Sequence, residues 1–568
     1  MTFRKGIIIF MILAIAAVMV DTIWNFSSSS IIIGIVSILG ILILGMLMLS
    51  GPEALRVQNA FKSLRKPIPK FKVGGGEDED DDKEPVRVQG PFKLPDKGKI
   101  LKQVDSHPTK LFGTAGIRGL TNIEITPLLA MKISQVYADW LGNKGTVAIG
   151  HDTRYGAKTL AQSASAGLQS SGLNVIDCGC IPTGGLACFI VQNKLSGGIL
   201  ITGSHMPYNM IGIMLFMSDG AYLPEEVAHN LENRFTRYES RQVKILPEAL
   251  GEYKIADNPL GIYKKFLLEQ VDRKLIRKRQ FKVLVDPANG TAALVLPDVL
   301  KELECQVNLI NGDIKPIPER PAEPRANNLQ TTAEKVKEYH CDIGIATDID
   351  ADRVLFIDEN GSILSEDLTG SIFARSVISG SKTEMRLCVT PINSSGLIEH
   401  TCTAEGIRLE YCPIGQPATL KVVKNLKADF SYEESGKYYF ANQALWPDGI
   451  LASLKLLEIM AQTNKTLSLL ATEFPKFYQV KHTIPCANQR KEKAMKKSFE
   501  IWQKQAIQGK VKDITVDGLK RIYEDKSWLL IRASGTEPLI RVYADATSQA
   551  RAEELVKWGE DIVKQGMK

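Results

Sequence analysis

Apolar residues follow two different patterns along this chain. Two long apolar runs, residues 7–20 and 31–49, lie within the first 50 residues. From about Phe112 onward, short β-branched runs alternate instead with amphipathic stretches, as in GTVAIGHD followed by GAKTLAQSASAGLQSSG. Strands that alternate with helices predict α/β layers built on mixed or parallel sheets. At 568 residues the chain is also too long for a single core, which predicts several domains.

The N-terminal apolar runs predict a transmembrane hairpin over residues 1–50. The second run is long enough to cross a hydrocarbon core, whereas the first is short and has a signal-peptide core as its alternative. Basic residues precede the first run and follow the second, while the connecting residues 21–30 contain no Lys or Arg. The positive-inside rule then places both ends of the hairpin in the cytoplasm. We therefore expect a two-pass protein of the inner, or cytoplasmic, membrane whose remaining residues face the cytoplasm.

Residues 51–104 predict a juxtamembrane segment followed by a flexible linker. Residues 53–66 have apolar side chains at mostly helical spacing, which fits either a helix on anionic lipid or an extension of the second apolar run. The sequence GGGEDEDDDKEP at 74–85 then combines three glycines with six consecutive acidic residues. Repulsion between like charges and low hydrophobicity keep such a run extended and solvated. We therefore predict a tether here rather than a metal site.

Composition excludes several classes of protein. The 70 basic and 64 acidic residues give a net charge of only +6, and no basic stripe interleaved with aromatic residues is present, so nucleic-acid binding is not expected. The nine cysteines are scattered. The closest pair, Cys178 and Cys180, is separated by one residue, which is less than the usual spacing of zinc ligands. These cysteines indicate a reducing compartment and buried small side chains.

Two polar loops follow predicted strands, where α/β sheets gather their ligands. The first, ITGSHMP at 201–207, holds Ser204 and His205. The second, DIDADR at 348–353, places Asp348, Asp350 and Asp352 at alternate positions. Three close carboxylates repel one another unless a hard cation binds them, and oxygen ligands favour Mg²⁺ over zinc. A calcium-type loop or a solvated acidic turn is the weaker alternative, because no glycine and distal glutamate complete the calcium pattern.

Two further loops carry groups suited to sugars and phosphates. The sequence YEESGK at 432–437 offers carboxylates, a hydroxyl and an amine that could bind sugar hydroxyls, although it would serve equally as a helix cap. The sequence RASGTEPLIR at 532–541 follows a predicted strand and contains two arginines, two hydroxyls and a glycine. Backbone N–H groups and guanidinium groups in such a loop can surround a phosphate.

In this order, the four loops resemble the signature of the α-D-phosphohexomutase superfamily, and specifically its phosphomannomutase and phosphoglucomutase branch. The resemblance covers residues 108–568 and includes FGTAGIRG at 112–119 and DTR at 152–154. It implies three similar α/β mixed-sheet domains and a smaller C-terminal α+β domain, preceded here by the two transmembrane helices. The expected domains are 105–250 with the serine loop, 251–362 with the metal loop, 363–476 with the sugar loop and 477–568 with the phosphate loop.

The resemblance also implies an activity. Members of the superfamily interconvert hexose 1-phosphate and hexose 6-phosphate through a phosphoserine and a bisphosphorylated sugar, with Mg²⁺ as cofactor and hexose 1,6-bisphosphate as activator. The implied catalytic residues are Ser204, His205, Arg118, Arg353 and Lys437. The implied metal ligands are Ser204, Asp348, Asp350 and Asp352. The implied substrate-binding residues are Glu433, Ser435, Arg532, Ser534, Gly535, Thr536 and Arg541. The expected partner is a small sugar phosphate, and the expected role is the supply of sugar 1-phosphates for nucleotide-sugar synthesis at the membrane.

This chain departs from the superfamily pattern at positions used for proton transfer. Met206 stands where asparagine is usual, Met214 where lysine is usual, and Lys437 where the sugar loop usually has histidine. Loss of a general acid or base typically slows a reaction 10²- to 10⁴-fold, unless Lys437 or His205 takes over the role. Ile349 and Tyr432 also replace usual glycines, which changes backbone freedom.

These departures leave three functions open. The leading prediction is an active mutase. The alternatives are a non-catalytic sugar-phosphate binder or regulatory scaffold derived from a mutase, and a phosphotransferase that makes or consumes sugar bisphosphate without completing the mutase cycle. The preferred hexose and the oligomeric state are not predicted.

Overall fold

A computed structural model of the chain describes most of its length after the linker. Every described residue belongs to one compact unit, Leu94–Lys568. The described ranges are 112–113, 116–237, 245–379, 386–504, 510–535 and 537–568.

The structure contradicts the predicted localisation in the inner membrane. Across the described ranges, no helix combines the length and the apolar character that crossing a bilayer requires. The physical reason is charge: the 18-residue helix Gln549–Gly566, for example, carries seven charged side chains. The two predicted transmembrane helices, residues 1–50, and the predicted linker, residues 51–104, lie outside the described residues.

The first sheet is mixed and carries four helices. Its elements are β1 (Ile117–Leu120), α1 (Pro127–Trp140), β2 (Thr146–His151), α2 (Ala157–Gln169), β3 (Asn174–Cys180), α3 (Thr183–Gln192), β4 (Gly197–Thr202), β5 (Met210–Met217), α4 (Glu225–Phe235) and β6 (Tyr253–Ile255). The strand order is β1-β5-β4-β2-β3-β6, with β5 antiparallel to both of its neighbours and the other strand pairs parallel. Strand β4 is apolar and buried along its whole length, as expected for a strand covered on both faces. The serine loop therefore begins inside the molecule.

The second sheet has four strands. Its elements are α5 (Pro259–Glu269), α6 (Arg273–Arg279), β7 (Lys282–Asp286), α7 (Leu296–Glu302), β8 (Gln306–Leu309), α8 (Gln330–Glu338), β9 (Ile343–Thr347) and β10 (Val354–Asp358). The strand order is β10-β9-β7-β8, and only the β9–β10 pair is antiparallel. The six residues between β9 and β10 form the triple-aspartate loop, so the hairpin presents all three carboxylates at one end of the sheet.

The third sheet repeats this plan. Its elements are α9 (Glu366–Ser379), β11 (Leu387–Pro391), α10 (Gly396–Ala404), β12 (Arg408–Cys412), α11 (Gln416–Leu426), β13 (Phe430–Glu433), β14 (Lys437–Tyr439), α12 (Gly449–Thr463) and α13 (Leu467–Ala471). The order is β12-β11-β13-β14, with an antiparallel β13–β14 hairpin at the edge. The turn of this hairpin is the predicted sugar loop.

The fourth sheet is antiparallel throughout. Its elements are β15 (Tyr478–Pro485), α14 (Asn488–Lys504), β16 (Val511–Ile514), β17 (Leu519–Tyr523), β18 (Trp528–Ala533), β19 (Leu539–Ala546) and α15 (Gln549–Gly566). The order is β15-β19-β18-β17-β16. Three mixed α/β sheets and one smaller α+β unit confirm the predicted fold class for the described part of the chain.

The buried apolar side chains show how the sheets are joined. One continuous cluster runs through the first three sheets and includes Leu186, Val285 and Phe373. The fourth sheet has its own cluster around Trp502. The serine, metal and sugar loops therefore belong to domains that share a core, whereas the phosphate loop belongs to a domain with a separate core.

Candidate active site

Ser204 follows β4 and lies buried against the second domain. Its φ of 46° is in the left-handed region that residues other than glycine rarely adopt. The Ser204 N–H donates to Thr202 Oγ1 across 2.9 Å and holds this tight turn. The Ser204 hydroxyl donates to Asp348 Oδ2 across 2.7 Å. The structure thus brings the predicted nucleophile into contact with the predicted metal loop.

A buried arginine holds the serine loop in this shape. The two terminal nitrogens of the Arg154 guanidinium lie 2.5–2.7 Å from four backbone carbonyl oxygens, to which they donate hydrogen bonds: those of Ser204, Met206, Pro207 and Met210. The Arg154 side chain is shielded from solvent. Because a guanidinium is planar and always charged, it fixes the positions of these carbonyls relative to one another.

Asp152 links the serine loop to the metal loop. Its carboxylate accepts hydrogen bonds from the N–H groups of Arg154 and Gly203, at 2.9 and 2.8 Å. The Thr202 hydroxyl lies 3.0 Å from Asp152 Oδ2 and 2.9 Å from Asp350 Oδ2. Glycine is needed at position 203, because a Cβ there would lie 2.2 Å from the Arg154 guanidinium.

The metal loop is buried and its backbone is fixed by three neighbouring elements. Asp348, Asp350 and Asp352 are at most 1% exposed, and each offers one oxygen within 4.8 Å of the others. Backbone N–H groups at the start of α3, of the short 3₁₀ helix Thr291–Leu294 and of α12 donate to carbonyl oxygens of the loop: Thr183 to Asp350, Thr291 to Ile349 and Gly449 to Ala351, at 2.7–2.9 Å. These bonds hold the three carboxylates close together in spite of their mutual repulsion.

The electrostatics of the three aspartates fit a bound cation. Burial, together with the neighbouring carboxylates, raises the pKa of Asp348 well above its usual range and that of Asp350 to about 6. Burial opposes ionisation of Asp352 as well, but Lys437 and Arg353 outweigh it and lower the pKa of Asp352. Within the described residues, Asp350 Oδ1 and Asp352 Oδ1 are buried and have no hydrogen-bond partner. Oxygen atoms of this kind are the ligands that Mg²⁺ prefers.

His205 lies between the nucleophile and Arg353. Its Nδ1 is 3.3 Å from Ser204 Oγ, and its Nε2 is 3.4 Å from the Arg353 guanidinium. Burial and the charges of Arg353 and Arg118 lower the pKa of His205 well below its usual range, so the imidazole is neutral. A guanidinium can only donate, so Nε2 accepts and Nδ1 carries the hydrogen. In this arrangement His205 donates to Ser204 and does not accept its proton.

The two predicted catalytic arginines lie at the same cluster. Arg353 donates to Glu323 Oε1 across 2.8 Å, and its backbone N–H donates to Asp348 Oδ1. Burial and the charge of Arg353 lower the pKa of Arg118, and the carboxylates of Asp352 and Asp350 oppose this shift. Both guanidinium groups are therefore close enough to the aspartates to interact with them electrostatically.

The sugar loop meets the metal loop through a lysine. Lys437 is 3% exposed, and its Nζ donates to Asp352 Oδ2 across 2.7 Å and to Gln416 Oε1 across 2.9 Å. Glu433 pairs with Lys437 across the β13–β14 hairpin, and its Oε1 accepts from the Tyr439 hydroxyl. Burial raises the pKa of Glu433, while the charge of Lys437 opposes the shift.

The phosphate loop is held within the fourth domain. Arg532 and Arg541 pair across β18 and β19. Arg532 Nε donates to Asp517 Oδ2 across 2.8 Å, and Arg541 donates to the Tyr543 hydroxyl across 3.0 Å. Each of these contacts lies inside the domain, whereas the serine, metal and sugar loops contact one another.

The turn of the phosphate loop presents small side chains. Ser534 is buried and its hydroxyl accepts from the Glu537 N–H, while Lys491 Nζ donates to the carbonyls of both residues. Gly535 is exposed, and a Cβ there would meet nothing within 4 Å. Thr536 lies outside the described residues. Ser435, in the sugar loop, is half-buried.

The departures from the superfamily pattern are accommodated by packing. Ile349 is buried with Ala288 and Ala322, and the left-handed position of the metal loop is instead Ala351, with a φ of 58°. Tyr432 is buried in β13 and donates to Asp367 Oδ1 across 2.7 Å. The two replacements of glycine therefore place side chains in the core without requiring a left-handed backbone.

Two methionines stand at positions where the superfamily usually has polar residues, and both are buried. Met214 is buried on β5, opposite Leu200, and Met206 is 8% exposed. Neither side chain can transfer a proton. Lys437 is consequently the amine that the structure places beside the metal loop.

Four residues of the site were not predicted individually from the sequence. Asp152 and Arg154 lie in the DTR motif, which was noted only as part of the resemblance. Tyr222 donates to Asp352 Oδ2 across 3.0 Å, and Gln416 accepts from Lys437. A charged Asp-x-Arg sequence directly after an apolar strand was a usable signal for the first pair, but nothing local marks Tyr222 or Gln416.

Comparison with known proteins gives a consistent result. Four domains of the phosphoglucomutase/phosphomannomutase family match in order: alpha/beta/alpha domain I over residues 109–242, domain II over 262–361, domain III over 365–478 and the C-terminal domain over 484–557. Together they cover well over half of the chain.

Relatives of known name extend this match over most of the chain. The phosphoglucosamine/phosphogalactosamine mutase of Sulfurisphaera tokodaii is 33% identical over 456 residues, 80% of this chain and 99% of the relative. The phosphoglucomutase/phosphomannomutase of Thermococcus kodakarensis is 34% identical over 464 residues, 81% and 99% of the two chains. A solved phosphoglucomutase/phosphomannomutase family protein from Burkholderia thailandensis shares the fold, with a TM-score of 0.71, 21% identity and coverage of 80% and 97%. The chain belongs to the phosphoglucomutase/phosphomannomutase family and is a phosphohexomutase, an intramolecular phosphotransferase.

Proposed function

We propose that this chain interconverts hexose 1-phosphates and hexose 6-phosphates of the glucose and mannose type, with Ser204 as the phosphorylated nucleophile. The observation that carries the proposal is the 2.7 Å contact between Ser204 Oγ and Asp348 Oδ2, since it joins a buried serine to the cluster of three carboxylates. The similarity to named mutases over 80% of the chain supports a catalytic protein over the non-catalytic scaffold.

The reaction requires two transfers through the same serine. Phosphorylated Ser204 gives its phosphoryl group to a sugar hydroxyl: the bond from phosphorus to Ser204 Oγ breaks as the bond to the sugar oxygen forms. The resulting hexose 1,6-bisphosphate turns in the site and returns its other phosphate to Ser204. Free hexose 1,6-bisphosphate would activate the enzyme by phosphorylating Ser204 at the start.

Asp348, Asp350 and Asp352, with phosphorylated Ser204, would hold Mg²⁺. When bound, the ion would supply neutralisation of the charge on the transferring group. Arg118 and Arg353 would add cationic hydrogen bonds, and the buried position of the cluster would exclude water, which strengthens these interactions. Arg154 would keep the serine oxygen aligned through the loop carbonyls.

The remaining predicted residues would bind the substrate. Glu433 and Ser435 would hold ring hydroxyls, because their hairpin is joined to the metal loop by Lys437. The phosphate loop, Arg532 to Arg541, would hold the phosphate that does not react, through Arg532, Ser534, Gly535, Thr536 and Arg541.

Proton transfer is assigned to Lys437 rather than His205. The neutral imidazole of His205 donates to Ser204 and would therefore orient the serine and its phosphate. Lys437 donates two hydrogens to Asp352 and Gln416, which leaves a third that it would give to Ser204 Oγ as the bond from phosphorus to Oγ breaks. The neutral amine left behind would then take the proton that the attacking sugar hydroxyl loses. This assignment also accounts for the absence of a lysine at position 214.

A second substrate class is a 2-amino hexose phosphate. The observation in its favour is the name of the Sulfurisphaera tokodaii relative, a phosphoglucosamine/phosphogalactosamine mutase. The Glu433 carboxylate could accept a hydrogen bond from either a 2-hydroxyl or a 2-amino group, so the two classes are separated by kinetics. The comparison is of kcat/KM for glucose, mannose and glucosamine 1-phosphates.

The test uses the full chain with Mg²⁺, a catalytic amount of glucose 1,6-bisphosphate and each 1-phosphate. Formation of the 6-phosphate is followed, with Ser204→Ala alongside and Ser165→Ala as a matched control. Ser165 is a buried serine of the same domain whose hydroxyl donates to the Ala161 carbonyl within its own helix. Turnover that is lost in Ser204→Ala and kept in Ser165→Ala supports the proposal. Bisphosphate turnover without any 6-phosphate isomer would show the incomplete phosphotransferase, and undiminished turnover in Ser204→Ala would overturn the assignment of the nucleophile.

A further inference from the structure

Two carboxylates of the metal loop are each held through one oxygen and have the other oxygen free. Asp350 Oδ2 lies 2.9 Å from the Thr202 hydroxyl. Asp352 Oδ2 accepts hydrogen bonds from Lys437 Nζ and from the Tyr222 hydroxyl, at 2.7 and 3.0 Å. Within the part of the chain that the structure describes, the Oδ1 atoms of both aspartates are buried and have no hydrogen-bond partner. A buried carboxylate oxygen without a donor is costly, so these two atoms are the ones left for a cation.

A tight turn after β5 brings Tyr222 to the metal loop. The Met217 N–H donates to the Ala221 carbonyl across 2.8 Å, and Gly220 takes a left-handed φ of 78° in this turn. The chain folds back, so that Tyr222 pairs with Phe216 as in an antiparallel ladder. Their two rings meet edge to face, with the centroids 5.0 Å apart. This packing leaves Tyr222 only 6% exposed and fixes the direction of its hydroxyl.

The two donors to Asp352 come from different domains. Tyr222 belongs to the first domain and Lys437 to the third, whereas Asp352 belongs to the second. A single hydrogen bond lets a carboxylate turn about the bond between Cβ and Cγ, whereas two donors that reach one oxygen from different elements fix the plane of the group. The Lys437 ammonium group also lies 5.7 Å from the centroid of the Tyr222 ring, so the two donors interact with each other. Outer partners of this kind orient metal ligands and contribute to the affinity of the site.

We propose that Tyr222 is a positioning residue for the metal, whose hydroxyl holds Asp352 Oδ2 and so keeps Oδ1 free for Mg²⁺. This role rests on the proposed function in one respect, that the three aspartates hold Mg²⁺. Tyr222 acts through Asp352. The metal site of the second domain therefore depends on a side chain of the first domain, 130 residues earlier in the chain.

Removal of the Tyr222 hydroxyl provides the test. Mg²⁺ is titrated into the full chain by calorimetry, and its dissociation constant is compared among the unchanged chain, Tyr222→Phe and Tyr432→Phe. Tyr432 is the matched control, because it is also buried and its hydroxyl donates to Asp367, an aspartate of the third domain outside the metal loop. Each variant keeps its ring and loses one buried hydrogen bond between a tyrosine and an aspartate. Only Tyr222→Phe is expected to raise the dissociation constant of Mg²⁺, by roughly tenfold.

Steady-state kinetics give a second measurement. The Mg²⁺ concentration that supports half-maximal turnover is expected to rise by the same factor in Tyr222→Phe, while kcat at saturating Mg²⁺ stays within roughly threefold of the unchanged chain. A merely structural role for Tyr222 would lower the unfolding temperature without changing either Mg²⁺ constant.

Three results would overturn this role of Tyr222. They are an unchanged chain that binds no Mg²⁺, a dissociation constant in Tyr222→Phe within roughly twofold of the unchanged chain, and an equal rise in Tyr222→Phe and Tyr432→Phe. The calorimetry needs no sugar phosphate. A chain whose Mg²⁺ affinity depends on Tyr222 but which turns over no hexose phosphate would therefore support the role of Tyr222 and reject the proposed function.

Discussion

Replacing Arg154 tests whether the shape of the serine loop depends on one buried guanidinium. Arg154→Ala leaves four carbonyl oxygens of the loop without their donors and Asp152 without its neighbouring charge. A hydrogen bond to a charged group contributes about 1.5–3 kcal/mol, and removing one partner of a buried ion pair costs about 3–5 kcal/mol. These contributions overlap, because water enters the space that the side chain vacates. We therefore expect a loss of about 4 kcal/mol in the free energy of unfolding of this domain.

Arg154→Lys is the matched variant. A lysine keeps the charge, but its three donors on one atom cannot reach four carbonyls, so we expect about half of the loss, roughly 2 kcal/mol. Activity should fall more steeply than stability, because displacing a nucleophile by about 1 Å costs roughly 10²-fold in rate.

Two measurements decide the outcome. Urea unfolding followed by circular dichroism gives the free energy of unfolding, and steady-state kinetics give kcat under conditions in which both variants are folded. The reasoning is refuted if Arg154→Ala unfolds at the same urea concentration as the unchanged chain and keeps kcat within twofold. A loss of stability with unchanged kcat would show that Arg154 supports the domain without positioning Ser204.

Three further predictions concern other buried charges. If Lys437 transfers protons, Lys437→His should keep kcat within roughly tenfold of the unchanged chain, whereas Lys437→Met should lower kcat by roughly 10²- to 10⁴-fold. Equal losses of kcat in the two variants, measured by steady-state kinetics, would contradict that role. Mg²⁺ should raise the unfolding temperature of the unchanged chain, because it binds the folded state, but not that of Asp350→Asn. Thermal unfolding is measured for both proteins with Mg²⁺ and with EDTA, and an equal difference between the two conditions in both proteins would contradict the site. Burial lowers the pKa of Lys520 to about 7. The unfolded chain therefore binds more protons above pH 7, and stability should rise with pH from 7 to 10 at up to about 1.4 kcal/mol per unit. Urea midpoints that keep this slope in Lys520→Met would refute the assignment.

The sequence was sufficient for the fold class because each domain repeats a local pattern. The runs GGILIT and IGIAT are apolar up to a final threonine, and the structure buries the corresponding strands β4 and β9 along their lengths. The loops that follow them are polar, so the serine and metal loops were predictable from position and composition. The first sheet nevertheless continues to β6, beyond residue 250, because a three-residue edge strand carries no distinct pattern of its own.

The contacts between loops were not predictable in the same way. Thr202 lies within hydrogen-bond distance of Asp350, 148 residues away, and Tyr222 donates to Asp352, 130 residues away. Such contacts depend on how separate domains pack, and no local period records that packing. The position of the strained residue in the metal loop was also hidden, since Ala351 and Ile349 are both apolar and only the backbone shows that the left-handed one is Ala351.

The division of the four loops between two cores fits the proposed reaction. Phosphoryl transfer needs a nucleophile, a metal site and a proton-transfer group held at fixed distances, and the three domains that carry Ser204, the aspartates and Lys437 share one apolar cluster. The bisphosphorylated sugar must turn between the two transfers, so the group that holds its second phosphate has to release it and bind it again. The phosphate loop fits this requirement, because its domain has a separate core. That domain joins the third domain through a small apolar cluster around Ile392 and Trp528 and through hydrogen bonds, such as those from Lys520 Nζ to the Ile392 and Ser394 carbonyls. If that junction is the hinge, Trp528→Ala should slow the complete mutase cycle, measured with hexose 1-phosphate, more than it slows the first phosphoryl transfer from phosphorylated Ser204. Equal slowing of both rates would show that the fourth domain belongs to the fixed part of the site.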